Sequence, residues 1–287
     1  MLVSARSVRG SGVWNEDALV SEGASRIYGV IDGATSLVPF AGPAGETGGY
    51  YASRIVAESV KRTLGQQVGA EGGGTTLQDA LAQANRELRN AMEAEGIEPG
   101  RKEQLWSAGA VLVRVGGSFI EYAQAGDCML TAVYRDGTIR VVTHDQIAHL
   151  DRVTHRLWAE GIAGGRTGRD ALWNHVKPQI IAGRQSANTA EGYAVLNGEP
   201  EAVDYLEYGR LNRINLKALL LMTDGLYVPK RADERAFDPV ETTELVARLG
   251  LDSYLERLIR LEECDPNCRL YPRVKMSDDK TAIWIEL

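Results

Sequence analysis

A run of short strand-like segments between residues 107 and 142 restricts the fold of this chain more than any other feature. Two of the connections carry residue pairs typical of tight hairpin turns, Gly116-Gly117 and Asp136-Gly137. The segments run apolar or alternate, and they cover residues 107–115, 119–124, 129–134 and 138–142. Strands joined this closely pair antiparallel, because a parallel pair needs a crossover connection of about a dozen residues or more. The sequence therefore predicts an antiparallel meander and not a series of parallel strand–helix–strand units.

Helical and strand-like patterns lie on both sides of this meander. Apolar residues at helix-face spacing predict helices at 46–66, 76–95, 240–249 and 252–263. They also predict helical structure at 145–181, with an interruption at 161–168. Further strands are predicted at 2–8, 18–21, 27–31, 193–196, 204–208, 216–223 and 281–286. This order predicts an α+β fold, a four-layer α/β/β/α sandwich in which two antiparallel sheets lie face to face and helices flank them.

The interleaved order also bears on domain organisation. No boundary of linker composition divides the chain into halves, so we expect a single domain spanning residues 1–287. The glycine-rich stretch 69–74 is interpreted as a linker between two helices. It does not match a phosphate-binding P-loop, because Thr75-Thr76 follow it without the lysine that this motif requires.

Charge and composition disfavour several classes of function. The net charge of −7 argues against non-specific nucleic-acid binding, since a polyanion needs a basic surface. No segment approaches the roughly 20 apolar residues of a membrane helix, and residues 1–6 lack the pattern of a signal peptide. Three cysteines do not make a disulfide framework. We therefore expect a cytoplasmic protein that binds neither membrane nor nucleic acid.

Carboxylates recur at the mouths of apolar strands. Asp32 follows the run 27–31, Asp224 follows the run 218–222, and Asp278-Asp279 open the last strand. A carboxylate at a buried strand end is costly unless a cation compensates its charge. Acids so far apart in sequence, each in this context, suggest one shared site for divalent metal ions.

The ligand chemistry narrows the choice of ion. Oxygen ligands alone suit hard cations such as Mg²⁺ or Mn²⁺ better than zinc. Two such ions about 4 Å apart generate a hydroxide at neutral pH and hold a phosphoryl group for in-line displacement. The chain has neither a Gly-x-Ser-x-Gly elbow nor a His-Glu-x-x-His motif, so a metal-bound water is the best candidate nucleophile.

Each acidic motif also has a simpler interpretation when it is taken alone. An isolated Asp-Gly pair, as at Asp224-Gly225, is commonly a turn. The tripeptide Asn15-Glu16-Asp17 fits a solvated loop, and Asp278-Asp279 fits the cap of a strand. The metal-site hypothesis depends on the joint order of these motifs and on their strand contexts.

Taken together, the motifs resemble those of the metal-dependent protein phosphatases of type 2C, in their bacterial serine/threonine form. The resemblance covers essentially the whole chain. It lies in residues 15–18, 30–33, 48–53, 107–110, 125–128, 143–146, 223–227 and 278–282. It implies a metal-dependent phosphatase that hydrolyses phosphoserine or phosphothreonine in a protein substrate, opposing a serine/threonine kinase.

The resemblance also implies roles for individual residues. Asp32, Asp224 and Asp278 would hold two divalent cations, Mg²⁺ or Mn²⁺, with the carbonyl of Gly33 as a further ligand. A hydroxide bridging these ions would attack phosphorus without forming a phospho-enzyme.

Three further acids are implied to lie around this centre. Glu16 and Asp17 would orient metal-bound water from outside the ligand set. Asp127 corresponds to the site of a weaker third cation, although a plain turn explains this residue equally well. Many family members supply a second acid to that site four residues after Asp224, where this chain has Val228.

The chain departs from the family at the phosphate clamp. The family usually places an arginine where this chain has Gly12, and the nearest arginines are Arg9 and Arg6. A guanidinium fork is a natural bidentate ligand for phosphate, so we predict that Arg9 contacts the substrate phosphate; the alternative is a surface arginine. The segment 145–212 matches the family least, and it corresponds to a variable flap-like insertion that would set substrate preference.

Two other functions stay open at this point. The missing arginine at Gly12 favours a catalytically weak or inactive regulatory module with the same fold. The second alternative is a metal-dependent phosphatase that acts on small phosphorylated metabolites.

Overall fold

The computed structural model describes residues 1–65, 74–231 and 237–287. Residues 69–73 of the glycine-rich stretch lie outside the described residues. The strands are β1 (Leu2–Val8), β2 (Ala18–Glu22), β3 (Ile27–Ala34), β4 (Ser107–Val115), β5 (Phe119–Ala125), β6 (Met129–Tyr134), β7 (Ile139–Val141), β8 (Glu207–Asn212), β9 (Leu216–Met222) and β10 (Lys280–Glu286). The α-helices are α1 (Gly48–Gly65), α2 (Leu77–Ala94), α3 (Ala148–Ala163), α4 (Arg169–Gln185), α5 (Pro239–Leu249) and α6 (Leu251–Glu263).

The strands form two five-stranded sheets with the orders β1-β10-β9-β6-β7 and β2-β3-β4-β5-β8. Every pair of neighbouring strands is antiparallel. The predicted central meander is therefore correct, although its strands are shared between the sheets: β4 and β5 belong to one, β6 and β7 to the other.

Three apolar layers hold the sheets and helices together. Between the sheets, Val30 and Val113 of one sheet share a buried cluster with Leu221 and Ile283 of the other. The outer face of the β3–β4 sheet packs on α1 and α2, and that of the β9–β10 sheet packs on α5 and α6. This arrangement confirms the predicted α/β/β/α sandwich of two face-to-face antiparallel sheets.

The alternation of side chains in β3 determines the face of the sheet on which Asp32 lies. Tyr28 and Val30 belong to the layer between the sheets, whereas Ile27 and Ile31 pack towards the helices. Successive side chains of a strand point to opposite faces. Asp32 therefore shares the inter-sheet face of Tyr28 and Val30, at the end of the strand.

Antiparallel register brings several strand ends to the same end of the sandwich. In one sheet Asp32 pairs with Gly109 near the start of β4. In the other sheet the end of β9 lies beside the start of β10, with Met222 opposite Ala282. The connection between β5 and β6, residues 126–128, passes from one sheet to the other at this end.

Helices α3 and α4 lie between β7 and β8 in the chain, and their interruption is shorter than predicted. The sequence predicts a break at 161–168, but α3 continues to Ala163 and α4 begins at Arg169. Buried Trp158 packs with Leu172 and Val176 of α4, and its Nε1 donates to the carbonyl of Cys268. These contacts attach helices α3 and α4 to the segment that precedes β10.

Two of the predicted strands are wrong. Residues 193–196 make only isolated bridges, because the backbone N–H groups of Ala194 and Val195 donate to side-chain oxygens of Gln146 and Asn188 instead of a neighbouring strand. In the predicted strand 204–208, the first two residues belong to a 3₁₀ helix, Pro200–Tyr205, and β8 starts only at Glu207.

None of the described helices combines the length and the apolar character that crossing a membrane requires.

Candidate functional site

An acidic cavity of about 240 Å³ opens at the end of the sandwich where the strand ends meet. Three of the predicted site residues, Asp127, Asp224 and Asp278, line it together with Asp145 and Asp151. A larger cavity of about 620 Å³ lies between α5 and α6, and its lining contains none of the predicted site residues. We therefore place the candidate site in the smaller, acidic cavity.

Asp32 and Asp224 come together from the two sheets. Burial and the charges of Asp17 and Asp224 raise the pKa of Asp32 well above its ordinary range. Burial and the charge of Asp278 raise the pKa of Asp224 to about 6, opposed by Lys275 and by a hydrogen bond with Asp32. These shifts mean that the folded chain holds the two carboxylates close together without enough positive charge to stabilise both.

The backbone beside Asp32 is packed too tightly for a side chain. A Cβ atom on Gly33 would lie 2.1 Å from the carbonyl oxygen of Gly49 at the start of α1. The Gly33 amide donates to the carbonyl oxygen of Glu16 at 3.1 Å. Glycine at position 33 thus lets α1 and the 15–17 segment approach the end of β3 directly.

Asp127 reaches the same region from the β5–β6 connection. A Cβ atom on Gly109, the residue opposite Asp32 in the β3–β4 ladder, would lie 3.0 Å from Asp127 Oδ1. The lack of a side chain at Gly109 therefore leaves room for this carboxylate. Burial and the charges of Asp224 and Asp145 raise the pKa of Asp127 well above its ordinary range.

Glu16 and Asp17 have hydroxyl donors of their own. Thr223 Oγ1 donates to Asp17 Oδ2 at 2.9 Å. Thr35 Oγ1 donates to Glu16 Oε2 at 2.5 Å, and Thr47 donates to the other oxygen of the same carboxylate. These bonds hold both acids in fixed orientations next to Asp32, where the sequence predicts supporting residues rather than ligands.

The two acids at the start of β10 have different surroundings. Buried Asp279 accepts hydrogen bonds from the amides of Gly10 at 2.7 Å and Glu16 at 2.6 Å. Asp278 lines the acidic cavity, and one of its oxygens lies 2.6 Å from Lys275 Nζ. Asp279 therefore ties the N-terminal segment to β10, whereas Asp278 is the member of the pair that faces the cavity.

The donor set fits a hard divalent cation in its chemistry. The predicted ligands are carboxylates and one backbone carbonyl, and the raised pKa values of Asp32 and Asp224 indicate uncompensated negative charge. Among the described residues, however, no three His, Cys, Asp or Glu side chains converge closely enough to define a ligand shell.

The predicted phosphate-binding arginine is not among the described residues that line the acidic cavity. Arg9 is exposed, and its Nη1 donates to the carbonyl oxygen of Val13 at 2.9 Å. Arg6 forms an ion pair with Asp252 on the surface. Of the described residues that line the cavity, the basic ones are Arg152, Arg273 and Lys275.

Sequence reasoning missed several titratable residues of the cavity, among them Asp145, Asp151, His155 and Lys275. Asp145 accepts from the amides of Ile147 and Ala148 and so caps the start of α3. Asp151 and His155 are four positions apart on α3, a spacing that places both on one face of a helix. Comparing the helix face with the acidic motifs would have found this pair.

Burial changes the protonation of both α3 residues. It lowers the pKa of His155 to about 4, and this ring packs edge-on against Phe237 at 5.1 Å. Burial, with the charges of Asp224 and Asp145, raises the pKa of Asp151 to about 8. At neutral pH His155 is therefore neutral and Asp151 is largely protonated.

Comparison with known proteins relates this geometry to a family. The family model of protein phosphatase 2C matches residues 5–265. No curated protein matches the chain by sequence. Asp278 lies beyond the matched residues, so its place in the site depends on the structure.

Similar solved structures include one of the phosphatase Stp1 and two of the phosphatase PstP. The serine/threonine phosphatase Stp1 from Staphylococcus aureus has a TM-score of 0.62 and 16% identity, over 99% of this chain and 94% of that one. The Mycobacterium tuberculosis phosphatase PstP/Ppp has a TM-score of 0.55 and 21% identity, over 100% and 98%. The catalytic domain of PstP in complex with two manganese ions has a TM-score of 0.55 and 19% identity, over 99% and 97%. At these identities the likeness establishes a common fold.

Proposed function

The chain belongs to the protein phosphatase 2C family, and from that premise we propose that it is a metal-dependent serine/threonine protein phosphatase. The observation that carries the proposal is the meeting of Asp32, Asp224 and Asp278 at one end of the sandwich. These acids come from three strand ends, and the raised pKa values of Asp32 and Asp224 call for a cation. The manganese ions bound to PstP support this choice of cofactor.

In this proposal Asp32, Asp224, Asp278 and the Gly33 carbonyl would hold two Mg²⁺ or Mn²⁺ ions, with Asp127 at a weaker third site. When bound, such ions supply activation of water and neutralise charge on the phosphoryl group. The chain itself contributes the geometry. The tight packing at Gly33 and the space over Gly109 allow the carboxylates to approach from both sheets.

Glu16 and Asp17 would orient water and the ligand carboxylates. Their own orientations are set by the hydroxyl groups of Thr35, Thr47 and Thr223. A hydrogen-bonded carboxylate next to the ligands can accept a proton from water without moving, since its position is already fixed.

The segment between β7 and β8 would recognise the substrate. Helix α3 carries Asp151, Arg152 and His155 into the cavity lining, so residues in this part of 145–212 would meet the substrate that enters. We propose a phosphorylated protein as substrate, opposing a serine/threonine kinase in the cytoplasm, and a single domain spanning 1–287 with this segment as its flap.

A phosphate-release assay tests the proposal. Wild-type protein is incubated with a phosphothreonine peptide or with a small aryl phosphate, with Mn²⁺ and with excess chelator, alongside Asp224→Ala. We expect Mn²⁺-dependent release from the peptide and none from the variant. Absence of metal-dependent turnover by the wild type would overturn the proposal, and release from the small ester alone would favour a metabolite phosphatase.

One observation favours a second function, a weak or inactive binding module. Gly12 stands where the family has its arginine, and the guanidinium of Arg9 is bonded to Val13. If the phosphothreonine peptide binds in calorimetry while Mn²⁺ yields no release, this second function replaces the first.

A further inference from the structure

Lys275 places its ammonium group beside the aspartates of the cavity, whose lining also contains Arg152 and Arg273. Its Nζ lies 2.6 Å from Asp278 Oδ1, and its side chain is 40% exposed. The charges of Asp278, Asp32 and Glu16 raise the pKa of its ammonium group despite the opposing effect of burial. The ammonium group in turn lowers the pKa of Asp224. Lys275 thus contacts Asp278 and interacts electrostatically with Asp32 and Asp224.

The loop that carries Lys275 is held in place on both sides. Before it, Arg273 donates to the carbonyl oxygens of Met276 at 3.0 Å and Asp265 at 2.7 Å, and pairs with the Asp265 carboxylate. After it, buried Lys280 forms an ion pair with Glu262 and donates to the carbonyl oxygen of Asp278 at 2.8 Å. The backbone at Lys275 is therefore positioned in advance, while its side chain keeps an open path to solvent.

Stability alone does not explain this ion pair. Lys275 and Asp278 are 40% and 32% exposed, and ion pairs this exposed to solvent add little to stability. The neighbouring Arg273 and Lys280 are the buried cations that hold the loop. Lys275 is the basic group of this loop that is free to change partners.

A bound phosphate monoester would offer Lys275 a second partner. A divalent cation on Asp278 would neutralise the carboxylate that the ammonium group now contacts. The phosphate of a substrate carries nearly two negative charges, and lysine binds phosphate as a compact point charge. The cavity lining places Lys275 in the same space as Asp127, Asp224 and Asp278.

We propose that Lys275 binds the substrate phosphate and supplies the cationic contact that the chain lacks at Gly12. The proposal rests on the phosphatase function proposed above, and it assigns to the loop before β10 a role that sequence motifs place in the N-terminal segment. Lys275 touches substrate in this arrangement and takes no part in bond cleavage.

The test measures phosphate affinity with and without turnover. Wild type, Lys275→Met and Lys275→Arg are compared with saturating Mn²⁺ for KM and kcat on a phosphothreonine peptide. The inhibition constant of inorganic phosphate is measured in the same assay. Losing one hydrogen bond to a charged group predicts that Lys275→Met raises KM and the inhibition constant about tenfold. We expect kcat to change less and Lys275→Arg to restore most of the affinity.

Lys61 provides a matched control. It forms an ion pair with Glu58 at the same three-residue spacing, it is 33% exposed, and it lies on α1. Lys61→Met should leave KM and the inhibition constant unchanged. The proposal would be overturned if Lys275→Met had the same KM and the same inhibition constant as the wild type.

Calorimetry separates this proposal from the phosphatase function. Inorganic phosphate is titrated into Mn²⁺-loaded wild type and Lys275→Met, which requires no turnover. Weaker phosphate binding by the variant supports the role of Lys275 even if the wild type proves inactive, a result that would overturn the proposed function alone. If Lys275→Met binds Mn²⁺ more tightly than the wild type does but binds phosphate with the same affinity, Lys275 is only a counter-ion for Asp278 and the proposal fails.

Discussion

Two groups of acids lie at the same end of this molecule and differ in how their charge is compensated. Glu16 and Asp279 accept hydrogen bonds from hydroxyl or backbone N–H groups. Asp32 and Asp224 face other carboxylates, and burial and repulsion raise their pKa values. Asp17 is intermediate, because Thr223 donates to it while burial and the charges of Asp278 and Asp279 raise its pKa well above the ordinary range. The first group is complete within the protein, whereas the second needs a cation from solution.

The largest expected effect is on activity and concerns Asp224, a carboxylate of the second group. Asp224→Asn removes a ligand charge, and we expect phosphatase activity to fall at least about a hundredfold, beyond the usual loss for a residue outside the ligand set. Metal titration followed by phosphate release measures this effect. Asp252→Asn, which removes a surface carboxylate paired with Arg6, is the control and should leave activity unchanged. Equal losses in both variants would contradict a ligand role for Asp224.

The second effect concerns stability. Asp279→Asn places an amide N–H₂ group against one of the two backbone N–H groups that now donate to the carboxylate. A buried donor left without an acceptor costs about 1–3 kcal/mol. We expect urea denaturation of the metal-free variant to show a loss of this size in the free energy of unfolding. The same measurement on Asp278→Asn should show a smaller loss, because Lys275 and Asp278 are partly exposed.

The third effect is a change in pH dependence. The folded-state pKa of Asp151 is about 8, against an ordinary value of 3.8. As the pH rises, Asp151 therefore loses its proton at a lower pH in the unfolded chain than in the folded protein. The resulting decrease in the free energy of unfolding grows as the pH rises from about 4 to about 8. We expect the metal-free wild type to lose more stability than Asp151→Asn between pH 5 and pH 8. Parallel stability profiles would contradict the assignment.

The smallest effect concerns the N-terminal arginine. If Arg9 contributes to phosphate binding, Arg9→Ala should raise KM for the phosphothreonine peptide several-fold and leave kcat unchanged. We expect this change to be smaller than that of Lys275→Met, because Arg9 is exposed and bonded to Val13. An unchanged KM would make Arg9 a surface residue.

Local patterns were enough to predict most of the fold. The hairpin glycines predicted the meander, and Thr76 with Asp79 forms a capping box at the start of α2. One failure falls where side chains replace backbone partners. At 193–196 the amides of Ala194 and Val195 bond to Gln146 and Asn188, which are distant or non-adjacent in sequence, so no local pattern signals the loss of the strand.

The sequence by itself determined the fold class, the family and the acids at the strand ends, because periodicity and short motifs depend on residues close together in the chain. Only the tertiary structure decided how each carboxylate is compensated. It showed that Asp279 is occupied by backbone amides while Asp278 faces the cavity, and it brought Lys275 to the acids. Donors and charges act through space over a few ångströms, and which ones meet depends on the packing of two sheets and the loops between them.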